Sequence, residues 1–362
     1  MKRKIVIAIL CAAVSMGTVG CGNSTASAKK TQTQTDKKED SKSENSEKSS
    51  EEKQSRDIFA MDTYMTVTAY GEHASEAVDK AETEIKRLDE MLSTGNENSE
   101  VYKLNQNGEA VVSDDTAYLY ERSEKIYKQT KGVFDISIYP VMDAWGFTTE
   151  NYRIPAEDEL SALLKNVDAS KIQYDKKTKK ITLPKNVKID FGGIAKGYTS
   201  SRIMQIYKKC GVTSGLVSLG GNVQLLGAKP DGSAWKVAVE SPDEDGNYLG
   251  ILQAKDKAVI TSGGYERYFE KNGKKYHHII DPATGYPAEN GLTSVTIVSD
   301  GTLADGLSTS LFIMGKEKAE KFWKKYSDKF DVILLTDDDQ LYVSEGIADD
   351  FQSDYKVNIM KK

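Results

Sequence analysis

Cysteine and histidine are scarce in this chain: its 362 residues include three of each. Cys11 lies within an N-terminal apolar run and Cys21 just beyond it. Cys210 therefore stands alone in the rest of the sequence, and no internal disulfide is expected. His277 and His278 are adjacent, but no tetrahedral Cys/His set accompanies them, which argues against a zinc centre. The folded part lacks a long basic stripe, and the net charge is −6; both argue against nonspecific nucleic-acid binding. Neither a P-loop nor a dinucleotide fingerprint occurs at its required spacing, and no internal repeat is visible.

What is present starts with a leader. Residues 1–20 read as a secretory signal: Lys2, Arg3 and Lys4 precede the apolar run from Ile5 to Val14, which is short for a membrane span. Gly17-Thr18-Val19-Gly20 then leads to Cys21, an arrangement that resembles a bacterial lipoprotein signal with Thr18 where leucine is usual. Cys21 is the expected lipidation site, anchoring the protein at the extracytoplasmic face of the cell membrane; an ordinary cleaved signal is the competing reading. Residues 22–55 hold no large apolar residue and cannot bury enough surface to offset the entropy of ordering. Residues 21–55 are thus expected to be a disordered polar tether, with an r.m.s. span of roughly 30 Å. Residues 56–362 suffice for one large domain or two closely packed ones.

Within that part, β-formers at 64–70 end at Gly71 and predict a strand. Ala74, Ala77, Ala81, Ile85, Leu88 and Leu92 recur at three- and four-residue steps and predict a helix over 73–94. Further helices are expected at 115–130, 157–165, 197–209, 303–313 and 316–326. Strands are expected at 171–174, 180–183, 215–219, 235–240, 249–254, 258–261, 293–298, 332–336 and 341–344. Strand runs joined by hairpin turns and mixed with helices predict an α+β fold of mixed or antiparallel sheets with packed helices.

Several segments have the composition of a site. Tyr276 to Gly285 reads YHHIIDPATG, a histidine pair ending a strand before an Asp-Pro turn. Glycine-rich turns follow strands at Asp190-Phe-Gly-Gly-Ile-Ala-Lys-Gly-Tyr198, Leu219-Gly-Gly-Asn222 and Thr261-Ser-Gly-Gly-Tyr265. Glycine lets the backbone approach a ligand, and a turn that opens a helix offers free N–H groups to an anion. One such turn is ordinary loop geometry; four, counting Gly285 after the histidine strand and with Lys196 at one of them, favour a phosphate-bearing ligand. Asp305 and Thr309 share a helix face and suit a hard ion such as Mg²⁺, although an aspartate in the first turn of a helix would be favoured by the dipole alone. Phe134 to Pro140 and Trp145-Gly-Phe147 offer aromatic surface, either beside a flat ring or as a core cluster.

Taken together, these segments resemble the ApbE family, the FAD:protein FMN transferases. The resemblance spans about 58–350 and adds Met61-Asp-Thr63, Tyr265-Glu-Arg267 and His278-Ile-Ile-Asp-Pro282 to the motifs above. It implies an ApbE-like, T-fold-like domain that binds FAD as substrate and Mg²⁺ as cofactor. The implied reaction moves FMN onto a Thr or Ser hydroxyl of an extracytoplasmic acceptor protein, forming a phosphoester and releasing AMP. By motif, the resemblance makes Asp305, Thr309 and the backbone carbonyls of Thr199 and Ser308 metal ligands. It makes His278 the general base and sets Lys196 beside the phosphates. It assigns Met61, Val133, Phe134, Asp135, Asp190, Ser262, Gly263 and Ile280 to cofactor contacts.

Three positions depart from the family pattern. Asp62 replaces a common glycine, Gly264 replaces a common acidic residue, and Gly95 replaces the tyrosine of a Ser-Thr-Tyr segment. In the family an aromatic at that last point is linked to transfer, and its absence can accompany hydrolysis of FAD. Two other readings therefore stay open: an FAD pyrophosphatase giving FMN and AMP, and a flavin-binding lipoprotein without chemistry.

Overall fold

A computed structural model describes residues 52–242 and 247–362. The leader, Cys21 and most of the tether lie outside the described residues. Eight α-helices are described: α1 (Ala74–Leu92), α2 (Glu100–Asn107), α3 (Asp114–Thr130), α4 (Tyr139–Trp145), α5 (Glu157–Leu164), α6 (Ala195–Lys209), α7 (Gly301–Met314) and α8 (Lys316–Tyr326). None is long and apolar enough to cross a membrane.

The frame is a nine-stranded sheet whose spatial order follows the chain: Lys53–Ala60, Thr63–Tyr70, Ser214–Leu219, Asn222–Leu226, Ala258–Gly263, Leu292–Ser299, Asp331–Thr336, Leu341–Ser344 and Val357–Met360. Every neighbouring pair is antiparallel except the last, which is parallel. Side chains alternate across each strand. In Ala258–Gly263, Ala258 and Ile260 join the helix-side core while Val259 points to the other face. The same alternation sends Ser262 toward the helices, where it meets α7.

Helices α1, α6 and α7 cover one face of the sheet. Ala74, Ala77 and Ala81 on α1 are fully buried; their small side chains let the helix lie close against Met65, Val67 and Ala69. The opposite face is closed by a three-stranded sheet of Trp235–Glu240, Tyr248–Ala254 and Phe351–Gln352. Trp235, Val237 and Val239 point inward from it, with exposed residues between them. The fold is α+β, as the mix of periods predicted.

Expected helices 157–165, 303–313 and 316–326 match α5, α7 and α8 to within two residues. The strand Lys53–Ala60 was not expected, and it moves the tether boundary: residues 53–55 belong to the sheet. Only Ile58 and Ala60 of this strand are buried, so its apolar pattern is faint. It is held by full register with Thr63–Tyr70 and by Arg56, which pairs with Asp79 and Glu82 of α1. Helix α2 was also missed, although Ser99 caps it and Gly108 ends it in the left-handed conformation. Trp145 and Phe147 are fully buried against Val141, Leu160 and Ile280, so that aromatic segment is core.

Candidate functional site

The site begins where α6 crosses α7. A Cβ on Gly197 would lie 2.1 Å from the Gly301 carbonyl oxygen and 2.5 Å from the Asp305 Cβ. Only glycine permits so close a crossing, and it places the first turn of α6 against the first two turns of α7. The residue before α6, Ile194, has no side chain able to cap the helix. Asp305 serves instead: its Oδ2 accepts the Gly197 N–H at 2.8 Å, and its Oδ1 accepts the Asn222 amide at 3.2 Å. A carboxylate only 4% exposed is thus met by two donors at the positive end of a helix. Because Asp300 is the N-cap of α7, Asp305 is not in that helix's first turn, and its burial has to be explained by this contact with α6.

Oxygen atoms gather along the same face of α7. Ser308 Oγ donates to the Asp305 carbonyl at 2.9 Å, and Ser262 Oγ reaches Ser308 Oγ at 2.8 Å and Thr309 Oγ1 at 3.4 Å. Thr199 is fully buried two residues beyond Gly197, and its hydroxyl donates to the Ala195 carbonyl at 2.8 Å. Among the described residues no cluster of three His, Cys, Asp or Glu side chains could hold a metal. A carboxylate, hydroxyls and carbonyls are donors for a hard cation. Each Asp305 oxygen spends one acceptor site on its N–H donor and retains capacity for another, so the group fits Mg²⁺.

His278 stands on the other side, just after the hairpin of Tyr268–Lys271 and Lys274–His277. The Arg267 carbonyl receives both the His278 backbone N–H and ring Nδ1, each at 3.1 Å. A carbonyl can only accept, so Nδ1 carries the proton and Nε2 keeps its lone pair. Burial, then the charges of Lys196 and Arg267, push this imidazole down to about 3. His277 differs: its Nε2 donates to the Ala288 carbonyl and its Nδ1 accepts the Ile279 N–H, so both nitrogens are used within the fold.

The surrounding groups define a cleft. Asp190, Tyr265, Glu266 and His278 are all reached by water, yet protein crowds them enough to favour each one's neutral form. Water at the exposed Glu266 carboxyl screens part of that effect. Lys196 is the common neighbour, and its charge acts on Asp190, Glu266 and His278 alike. Asp305 acts on Glu266 as well, which ties the α7 side to the His278 side.

The other expected contact residues take different places in the fold. Met61 sits in the turn between the first two strands, and its sulfur lies 3.8 Å from the Thr199 hydroxyl oxygen. Phe134 is buried with its ring 3.1 Å from where a Cβ on Gly193 would stand, and Val133 packs partly buried on the same core. Gly263 lies under Tyr265, whose ring leaves no room for a Cβ. Ile280 is buried in the Trp145 cluster. Asp135 is engaged locally: it caps the turn at Ile136–Ile138 by accepting from Ser137, and it also accepts the Ala169 N–H at 3.2 Å. Asp190 accepts the Gly192 N–H at 2.7 Å.

Sequence reasoning did not assign Asn222, Glu266 or Arg267, although all three lie in motifs it had marked. Asn222 orients Asp305, and Arg267 presents the carbonyl that fixes His278 while its guanidinium donates to the Phe147 carbonyl. Asn222 and the Arg267 guanidinium act between segments far apart in the chain, the Arg267 carbonyl acts across its own hairpin, and backbone carbonyls leave no trace in residue type.

The fold and site define an α+β protein with a cationic, imidazole-bearing cleft beside a buried oxygen cluster. The profile of the ApbE family matches residues 61–334, and the chain belongs to that family. The FAD:protein FMN transferase of Haemophilus influenzae is 31% identical over 284 residues, covering 75% of this chain and 81% of that protein. The FAD:protein FMN transferase of Vibrio cholerae is 31% identical over 268 residues, covering 71% and 80%. Among solved structures, the ApbE protein of Thermotoga maritima has a TM-score of 0.79 at 30% identity, covering 83% of this chain and all of its own. The flavin transferase ApbE from Vibrio cholerae has a TM-score of 0.74 at 25% identity, covering 82% and 98%.

Proposed function

We propose that the protein transfers FMN from FAD to a Thr or Ser hydroxyl of an extracytoplasmic acceptor protein, with Mg²⁺, releasing AMP. The single observation that carries this reading is the fixed tautomer of His278. Its Nε2 keeps its lone pair, Lys196 acts on the ring, and Lys196 and Asp305 both act on Glu266, which links the histidine to the oxygen cluster.

In this reading His278 takes the proton of the acceptor hydroxyl as the oxygen attacks the FMN-side phosphorus. A new P–O bond forms, the P–O bond to the bridging oxygen breaks, and AMP leaves with that oxygen. Lys196, with the charge of Arg267 behind it, would face the anionic pyrophosphate. Asp305, Thr309 and the carbonyls of Thr199 and Ser308 would hold Mg²⁺, which when bound neutralises charge on the phosphate oxygens. Pyrophosphate charge would offset the cations that keep His278 acidic, raising its pKa toward the range where an imidazole is an effective base.

Cys21 lipidation would fix the protein at the outer membrane face through the tether. The first strand runs from the tether side to the Met61 turn, eight residues or about 26 Å. The cleft would then open at the end of the sheet away from the anchor.

One observation favours a second reading. Nothing lies within 4 Å of a Cβ on Gly95, so no side chain at that position excludes water. Water in place of the acceptor hydroxyl would give FMN and AMP. Incubation with FAD, Mg²⁺ and a small protein bearing an Asp-Gly-Ala-Thr-Gly-Ala-Thr tag separates the readings, with EDTA as control. Covalent flavin fluorescence on the denatured acceptor, with AMP released, is the expected result. Free FMN and AMP without labelled acceptor would favour hydrolysis, and neither product would leave a flavin-binding protein. Asp305→Ala should abolish turnover and the calorimetric signal of Mg²⁺ binding; retention of both would remove Asp305 from the metal site.

A further inference from the structure

The turn that carries Met61 is held in an unusual conformation. Ala60 pairs with Thr63, so Met61 and Asp62 alone form the hairpin turn. Both have positive φ, 48° and 57°. That geometry suits the twist of the flanking strands; Gly and Asn favour it and Asp tolerates it, but Met does not adopt it readily. The turn therefore needs outside support.

The support comes from α1. Asp89 Oδ1 accepts the Met61 backbone N–H at 3.0 Å across 28 residues of sequence. The Asp89 carboxyl is part-buried, and burial raises its pKa; Asp62 and Glu90 nearby raise it further. A desolvated carboxylate facing other acids is costly unless a donor meets it, and the Met61 amide is that donor. The Met61 side chain in turn packs on both helix-side cores and touches Thr199. A shift of the turn would be felt at the start of α6, where the oxygen cluster begins.

We propose that Asp89 is a positioning residue for flavin binding: by gripping the Met61 amide it holds the strained turn, and with it the Met61 side chain, in place at the cleft. The assignment rests on the functional reading above. It goes beyond it in naming a residue that meets neither substrate nor metal.

Three variants test it, read by FAD binding (quenching of flavin fluorescence, Mg²⁺ present), by KM and kcat, and by thermal unfolding. Asp89→Ala should raise Kd and KM for FAD about tenfold while kcat changes far less. Asp89→Asn keeps an acceptor oxygen and should stay within about twofold of wild type. Asp62→Gly in the Asp89→Ala background should restore most of the lost affinity, because glycine takes the left-handed conformation without strain. A merely stabilising role would lower the melting temperature and leave KM and the pattern of rescue unmoved. If wild type binds FAD and Asp89→Ala binds equally well, or if Asp62→Gly restores nothing, the assignment is wrong while the function stands. If wild type itself binds no FAD, the functional reading falls and this assignment falls with it.

Discussion

Asp305 and His278 belong to two differently built walls of the site. Asp305 is sealed between two helices, its oxygens met by a backbone N–H and an amide, and its place fixed by a glycine crossing with no room for a methyl group. His278 stands at the end of a hairpin, reached by water, and one carbonyl fixes its ring. The first wall is set by packing and tolerates little change. The second is set by hydrogen bonding and nearby charge, and can change protonation state without unfolding. A ligand-holding group gains from rigidity, whereas a proton carrier has to remain open to solvent and to charge.

The sharpest way to break this contrast is Gly197→Ala. The added methyl would clash with the Gly301 carbonyl at 2.1 Å, and two helices would have to separate. A stability loss of about 3 kcal/mol is expected from urea unfolding, with loss of Mg²⁺ binding. A wild-type denaturation curve would show that the crossing is looser than its geometry implies.

His278→Asn tests the other wall. Transfer should fall roughly 10²–10⁴-fold while FAD binding persists. The variant also has a pH signature. In the folded protein His278 lies near 3, below its ordinary 6.5, so stability is fully present above 6.5 and is lost as pH falls, because only the unfolded chain takes up the proton. Replacing His278 should therefore flatten the fall in melting temperature as pH drops from 6.5 toward about 3. Parallel curves for variant and wild type would place the imidazole pKa nearer its ordinary value.

The smallest expected effect on stability is that of Gly95→Tyr. The position is open, so unfolding free energy should change by less than about 0.5 kcal/mol. The ratio of labelled acceptor to free FMN should rise. An unchanged ratio would mean that the aromatic at this point does not control water entry here.

Legibility in the sequence followed the range of the interaction. Helix α1 was readable because its buried face recurs every three or four residues within a single segment. The edge strand Lys53–Ala60 was not, because its partner strand and the acids of α1 stabilise it more than its own apolar residues do. The histidine pair was visible and the family resemblance picked His278, but the hydrogen bonds that distinguish the two were not legible: His277 spends both nitrogens on Ala288 and Ile279, and His278 spends one on Arg267.

Composition and local pattern thus determined the α+β class, the glycine turns and the residue types able to hold an anion or a hard cation, since these depend on neighbours along the chain. Tertiary structure decided that Asp305 caps α6, that His278 offers Nε2, and that Asp89 supports the Met61 turn. Each of these depends on a backbone donor or acceptor, across a hairpin for His278 and from a distant segment for Asp305 and Asp89, and every residue type other than proline carries the same pair.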